Sequence, residues 1–121
     1  MLNLSKEILE EKLNSTDFTT LYKTSYESAV NDLVKRNETL KDVDIKSILK
    51  NTNDTLVYAK LYIKKNIDKY RERKFDKLGM RIVCHNLISY EKLRVLQDES
   101  LLVTSATKIA AMDAAKTLLF S

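Results

Sequence analysis

Proline is absent from this sequence of 121 residues, and glycine occurs once, at Gly79. Proline breaks helices and glycine weakens them, while tight turns and sheet bulges recruit both. Their near absence argues against a β-rich fold and for long helices joined by Asn, Asp, Ser and Thr turns. Cysteine also occurs once, at Cys84, so no disulfide can close within the chain, which fits a reducing cytosol. The opening Met-Leu-Asn-Leu-Ser-Lys-Glu contains no apolar run of signal-peptide length. The most apolar stretch, Leu101 to Phe120, is interrupted by Lys108, Asp113 and Lys116, which suits a helix packed in protein rather than in lipid. The expectation is a cytoplasmic protein with no membrane contact.

Catalytic patterns are missing as well. The only histidine, His85, follows Cys84 directly. Adjacent residues on a helix point about 100° apart, so the two cannot converge on one centre. A buried cysteine and an ordinary helical histidine are the simpler account. There is no glycine-rich phosphate loop, Cys-x-x-Cys pair, His-Glu-x-x-His or Gly-x-Ser-x-Gly in the chain. Acidic residues at helical spacing, Glu7 with Glu10 or Glu11, sit among lysines on a solvated face. The sequence therefore predicts no enzyme, no cofactor, no metal site and no small-molecule substrate.

What is present is helical periodicity and charge. The length fits one domain with one core, spanning residues 1–121. The apolar fraction of 44% is that of an ordinary globular protein, and the charged fraction of 31% is above average. A first helix is expected from about Ser5, with Leu4, Ile8, Leu9 and Leu13 inward. A second runs from about Asp17 to Arg36, capped by Ser15 or Thr16, with Phe18, Tyr22, Tyr26, Ala29, Val30 and Leu33 at three- and four-residue spacing. A short helix follows over about Val43 to Lys50, and Asn51 to Asp54 marks a break. The next apolar periodicity, about Asp54 to Ile88, predicts one long central helix, apolar nearly all round from Leu78 to Ile88. Ser89 would cap a short helix carrying Leu93, Val95 and Leu96. Asp98 would cap the last, whose Ala106, Ala110, Ala111, Ala114 and Ala115 permit close packing. The fold expected is all-α, a bundle of five or six helices around the long one.

The net charge of +4 is concentrated. Lys60, Lys64, Lys65, Lys69, Arg71, Arg73, Lys74, Lys77 and Arg81 stand against only Asp68, Glu72 and Asp76, a local charge of +6. Such a window could meet phosphates, with salt-dependent binding. On a continuous helix, however, Lys60, Lys64, Arg71, Lys74, Lys77 and Arg81 spread over roughly half the circumference, with Lys65 and Lys69 opposite. A solvated face or a protein interface is the competing account. Tyrosines (Tyr22, Tyr26, Tyr58, Tyr62, Tyr70, Tyr90) outnumber phenylalanines two to one. Tyrosine suits both the wet edge of a core and an oligomer contact.

Two stretches resemble a known family. Thr16-Asp17-Phe18-Thr19-Thr20-Leu21-Tyr22 opens its helix much as an Asp-Phe-Tyr-like element does in archaeal GINS subunits. Tyr70-Arg71-Glu72-Arg73-Lys74-Phe75-Asp76-Lys77-Leu78 is similar to the tyrosine–arginine–lysine–aliphatic run of the long helix in the GINS helical domain. The resemblance implies a cytoplasmic subunit of a replisome scaffold that assembles into a tetramer and links the replicative helicase to its activators and to primase or polymerase. It places Tyr70, Arg71, Arg73, Lys74 and Lys77 on the helix that shapes subunit contacts. The family pairs this domain with a small β-rich one, which no stretch of this sequence provides. Two functions are thus expected. One is a non-enzymatic, GINS-like assembly subunit of a homo- or hetero-oligomer that binds protein partners. The alternative is a small basic DNA-binding accessory protein, viral or plasmid in type, using Lys60 to Arg81. The contact residues common to both are Lys60, Lys64, Tyr70, Arg71, Arg73, Lys74, Lys77 and Arg81.

Overall fold

The computed structural model describes residues 4–121, and among these the fold is all-α, without a strand. Six helices follow one another: α1 (Lys6–Leu13), α2 (Thr16–Arg36), α3 (Ile45–Leu49), α4 (Thr52–Glu72), α5 (Lys77–Gln97) and α6 (Leu102–Leu119). Short 3-10 turns at Glu38–Leu40 and Glu99–Leu101 lead out of α2 and into α6.

Caps set most of the boundaries. The Ser5 hydroxyl accepts from the Ile8 amide, Ser15 from Phe18, and Asp44 from Ser47. Each satisfies an amide that the first turn leaves without a partner. The α2 stripe Phe18, Tyr22, Tyr26, Ala29, Val30 and Leu33 is buried in full, as its spacing predicts. In α1, Leu9 and Leu13 are buried while Ile8 faces outward, a departure from the expected face.

The central helix is α6, not the expected 54–88 helix. α6 lies along α2, α5 and α4, and Ala106, Ala110, Ala111, Ala114 and Ala115 are all buried at these contacts. Interaxial distance depends on the side chains at the crossing. Alanines let three neighbours close on one helix, with Ile109, Met112 and Leu102 filling the remaining space. Although consecutive, α4 and α5 pack on α6 rather than on each other.

The expected single helix is two helices separated at Arg73–Asp76. Lys74 adopts a left-handed backbone, φ 58°. Its amide bonds the Arg71 carbonyl at 3.0 Å, and the Phe75 amide bonds the Tyr70 carbonyl at 3.2 Å. This pair of bonds is a Schellman motif, completed by the apolar contact it usually carries: the Tyr70 and Phe75 rings are 5.0 Å apart. Asp76 then caps α5, accepting from the Gly79 amide at 2.7 Å. A Cβ on Gly79 would come within 3.1 Å of both the Phe75 ring and the Asp76 carboxylate, so glycine lets ring, cap and helix meet. Beyond the turn, α5 runs unbroken through Ser89, where a new helix was expected. It is not enveloped either: Met80, Val83, Cys84 and Ile88 face α6 and its surroundings, while Leu78 and Ile82 stand in solvent.

A left-handed conformation costs a residue with a Cβ on the order of 1 kcal/mol. Lys74→Gly should therefore raise the stability to urea by about that amount, less the entropy glycine adds to the unfolded chain. Removing the cap with Asp76→Ala should lower it by about 1 kcal/mol. Urea titration of both variants checks the turn.

Candidate interaction surfaces

The turn between α4 and α5 divides the basic window, and its cations go to different places. Lys60 and Lys64, on α4, reach α1: Lys60 donates to the Asn14 side chain at 3.3 Å and Lys64 pairs with Glu10 at 2.7 Å. The Lys64 ammonium holds the Glu10 carboxyl below its ordinary range. Arg71 pairs with Asp68 one turn back, at 2.9 Å. Arg81, on α5, donates to the Phe120 carbonyl at the end of α6. Four of the eight expected contact residues thus serve the fold. Lys60 and Lys64 hold α1 on α4, Arg81 holds the end of α6 on α5, and Arg71 pairs within α4.

The other four gather at the turn. Tyr70 is half-buried against Phe75, with the Arg73 guanidinium 5.6 Å and the Lys69 ammonium 5.3 Å from its ring centre. Cations at this distance are attracted to the negative ring face, by roughly 0.5–1 kcal/mol where exposed. Arg73, Lys74 and Lys77 are exposed and form no ion pair among the described residues. The basic surface is a corner around Tyr70, where the sequence suggested a face along a helix.

The tyrosines divide three ways. Tyr22 and Tyr26 are wholly buried, and their rings stack in series with Phe18. Tyr62 and Tyr70 are half-buried; Tyr58 and Tyr90 are exposed. The Tyr22 hydroxyl bonds the Thr55 hydroxyl at 2.6 Å, linking α2 to α4. Since Thr55 donates its own proton to the Thr52 carbonyl, Tyr22 is the donor. The Tyr26 hydroxyl is buried without a hydrogen-bond partner among the described residues. Burial pushes the Tyr22 and Tyr62 phenols up to about 12. Cys84, buried beside exposed His85 as the helical spacing requires, is pushed up to about 11 by the same desolvation.

Two features were not anticipated. Glu91, on α5, is 3% exposed and accepts from the Ser105 hydroxyl of α6 at 3.0 Å, with Arg94 at 3.5 Å. A buried carboxylate is tolerated where it is paired and hydrogen-bonded. This one fixes how α5 seats on α6. An exposed Glu and this one look alike in the sequence. The second feature is an outward apolar stripe on α5, of Leu78, Ile82, Leu93 and Leu96, each between 53% and 62% exposed. Its signal was present as the apolar excess of that segment, which reads equally well as burial on all sides. Val57 and Leu61 of α4 are similarly exposed.

The surface clefts are shallow. One of about 250 Å³ lies between α4 and α6, lined by Asp54, Thr55, Tyr58, Val103, Thr104 and Thr107. No group of three or more His, Cys, Asp or Glu side chains among the described residues is placed to hold a metal ion. No helix among them is long and apolar enough to cross a membrane.

Comparison with family models, with curated proteins and with solved structures finds no match. The surfaces themselves carry the functional argument.

Tyr22→Phe should cost about 1 kcal/mol, because it leaves Thr55 short of a donor, whereas Tyr26→Phe should be neutral or slightly stabilising. Urea titration separates the two. The raised phenols also set an alkaline limit. A group whose folded pKa lies above its unfolded value stabilises fully below the unfolded value, here about 10. The contribution is lost as pH climbs from there through about 12. Stability should therefore fall across that window, with Tyr22, Tyr26 and Tyr62 ionising late by ultraviolet absorbance.

Proposed function

We infer that the chain is a non-enzymatic assembly subunit that binds protein through the outward apolar positions of its helices. The observation that carries this reading is the α5 stripe: four large aliphatic side chains on one face, each more than half exposed. Covering the exposed half of each is worth roughly 1 kcal/mol or a little more, about half of what full burial of such a side chain gives. Scattered exposed aliphatics are normal on a monomer; a row of them along a helix marks a contact site. The setting that the GINS-like resemblance supplies is a scaffold of DNA replication. Under that setting the Tyr70–Leu78 run contributes a turn, flanked by α4 and α5, to the subunit contacts.

A second reading has its own support. Lys69, Arg73, Lys74 and Lys77 are exposed around Tyr70, and a corner of cations beside an aromatic ring is suited to phosphates and a stacked base. Against it, Lys60, Lys64, Arg71 and Arg81 are engaged within the chain, which leaves a small footprint.

Light scattering combined with DNA binding over a salt series tests the two. The assembly reading expects an oligomer, with no DNA affinity at moderate salt. A monomer whose DNA binding weakens steeply as salt rises would overturn it in favour of the second. The steepness would report about one released counterion per phosphate neutralised.

A further inference from the structure

We propose that the outward face of α5 is the contact surface of a two-fold symmetric homodimer, in which α5 packs antiparallel against α5 of a second copy. The inference rests on the assembly reading and names its partner.

The face is narrow and continuous. At 100° per residue, Leu78, Ile82, Leu93 and Leu96 fall within a sector of about 60°; Ser89 lies within it and His85 at its edge, both near the middle of the row. All six are exposed. Nothing else among the described residues covers this row, because α1, α2, α3, α4 and α6 are placed elsewhere and α5 meets α6 with its opposite side.

The spacing of the row selects the occupant. An isologous contact requires a surface complementary to itself, so that a residue and its counterpart exchange roles across the axis. Reversing α5 about its centre sets Leu78 against Leu96 and Ile82 against Leu93. Both pairs share a midpoint at Leu87–Ile88. The polar positions at the centre, His85 and Ser89, come opposite each other about the same point. The apolar positions are thus grouped at the two ends of the face, where an antiparallel copy matches them. A partner of unrelated sequence would not need this symmetry.

Charge points the same way. The N-terminal end of α5 carries Arg73, Lys74 and Lys77, exposed and without an ion-pair partner among the described residues, against Glu72 and Asp76. The C-terminal end carries Asp98 and Glu99, both exposed. Antiparallel packing sets the end of α5 that carries Arg73, Lys74 and Lys77 beside the end of the other copy that carries Asp98 and Glu99. A parallel pair would instead set cation against cation and acid against acid. The opposed helix dipoles favour the antiparallel arrangement as well.

The experiment uses the full chain. Sedimentation equilibrium over a concentration series should find a reversible dimer. Ile82→Glu combined with Leu93→Glu should weaken it about a hundredfold or more, because each substitution acts twice in a symmetric contact. Both residues are exposed, so helical circular dichroism and urea stability should be unchanged. Val57→Glu with Leu61→Glu, on α4, should leave the dimer intact. Orientation is read by cysteines under mild oxidation, with buried Cys84 silent. His85→Cys chains mixed with Ser89→Cys chains should cross-link to each other, and Gln97→Cys, at one end, should not cross-link to its own copy. Cross-linking of Gln97→Cys to its own copy would show a parallel pair and overturn the proposal. A dimer that survives the α5 substitutions and is lost with the α4 ones would overturn it too, while leaving the assembly reading intact. A chain that is monomeric at every concentration would overturn this dimer, and the assembly reading with it.

Discussion

The close approach of three helices to α6 is the contact on which the rest of the structure depends. A helix in a two-layer bundle needs one apolar side, but α6 is covered by α2, α5 and α4 and needs three. Five alanines meet that demand by presenting little volume, so the neighbours are held by their own larger side chains: Phe18, Tyr22, Tyr26 and Leu33 from α2, Ile63 and Ile67 from α4, Met80 and Val95 from α5. Interiors packed to this density do not admit an extra methylene without displacing a rotamer or a backbone. The bundle is thus specified more by the small residues of α6 than by the length of any other helix.

A core built from interchangeable aliphatics can slide, and polar contacts limit that freedom. Glu91 to Ser105 fixes α5 on α6, and Tyr22 to Thr55 fixes α2 on α4. Lys92 adds a pair with Asp32 across α5 and α2 at 3.5 Å, worth little at an exposed position. The buried carboxylate is the strictest of these. Without Ser105 and Arg94 it would pay its desolvation with no return, so only the register that keeps both partners is stable.

How much of this could be read in the chain depends on the range of the interaction. The α2 stripe, the cap at Ser15 and the alanine helix were legible because each is encoded within a few neighbouring residues. The break at Arg73–Asp76 is equally local, yet it was missed, because its left-handed residue is Lys74 where such turns usually hold glycine. The Asp76 cap and the Tyr70–Phe75 spacing were the signals that could have found it. The fate of the basic residues was not legible at all. Lys64 meets Glu10, and Arg81 meets Phe120, across long stretches of chain, and no local pattern foretells such pairs. The candidate surface among the basic residues therefore shrank to Tyr70, Arg73, Lys74 and Lys77, and its place as the main candidate passed to aliphatics first assigned to the core.

Those aliphatics pose the question of why α5 is apolar on two sides. Periodicity shows that a side chain avoids water, without showing what shields it. Two apolar faces can be satisfied by two layers of the same chain, or by one layer and a second molecule. Here α6 takes one face of α5, and the described helices already commit their buried stripes to α6 or α2. The outer face is left with aliphatics at its ends, polar residues at its centre, cations at one terminus and acids at the other. Ordinary surface helices have no reason to be ordered in this way, since solvent is indifferent to the direction of a helix. A partner is not indifferent. The one partner certain to carry the reverse of the same order is another copy of α5, and the proposed dimer accounts for the pattern that made the segment look buried.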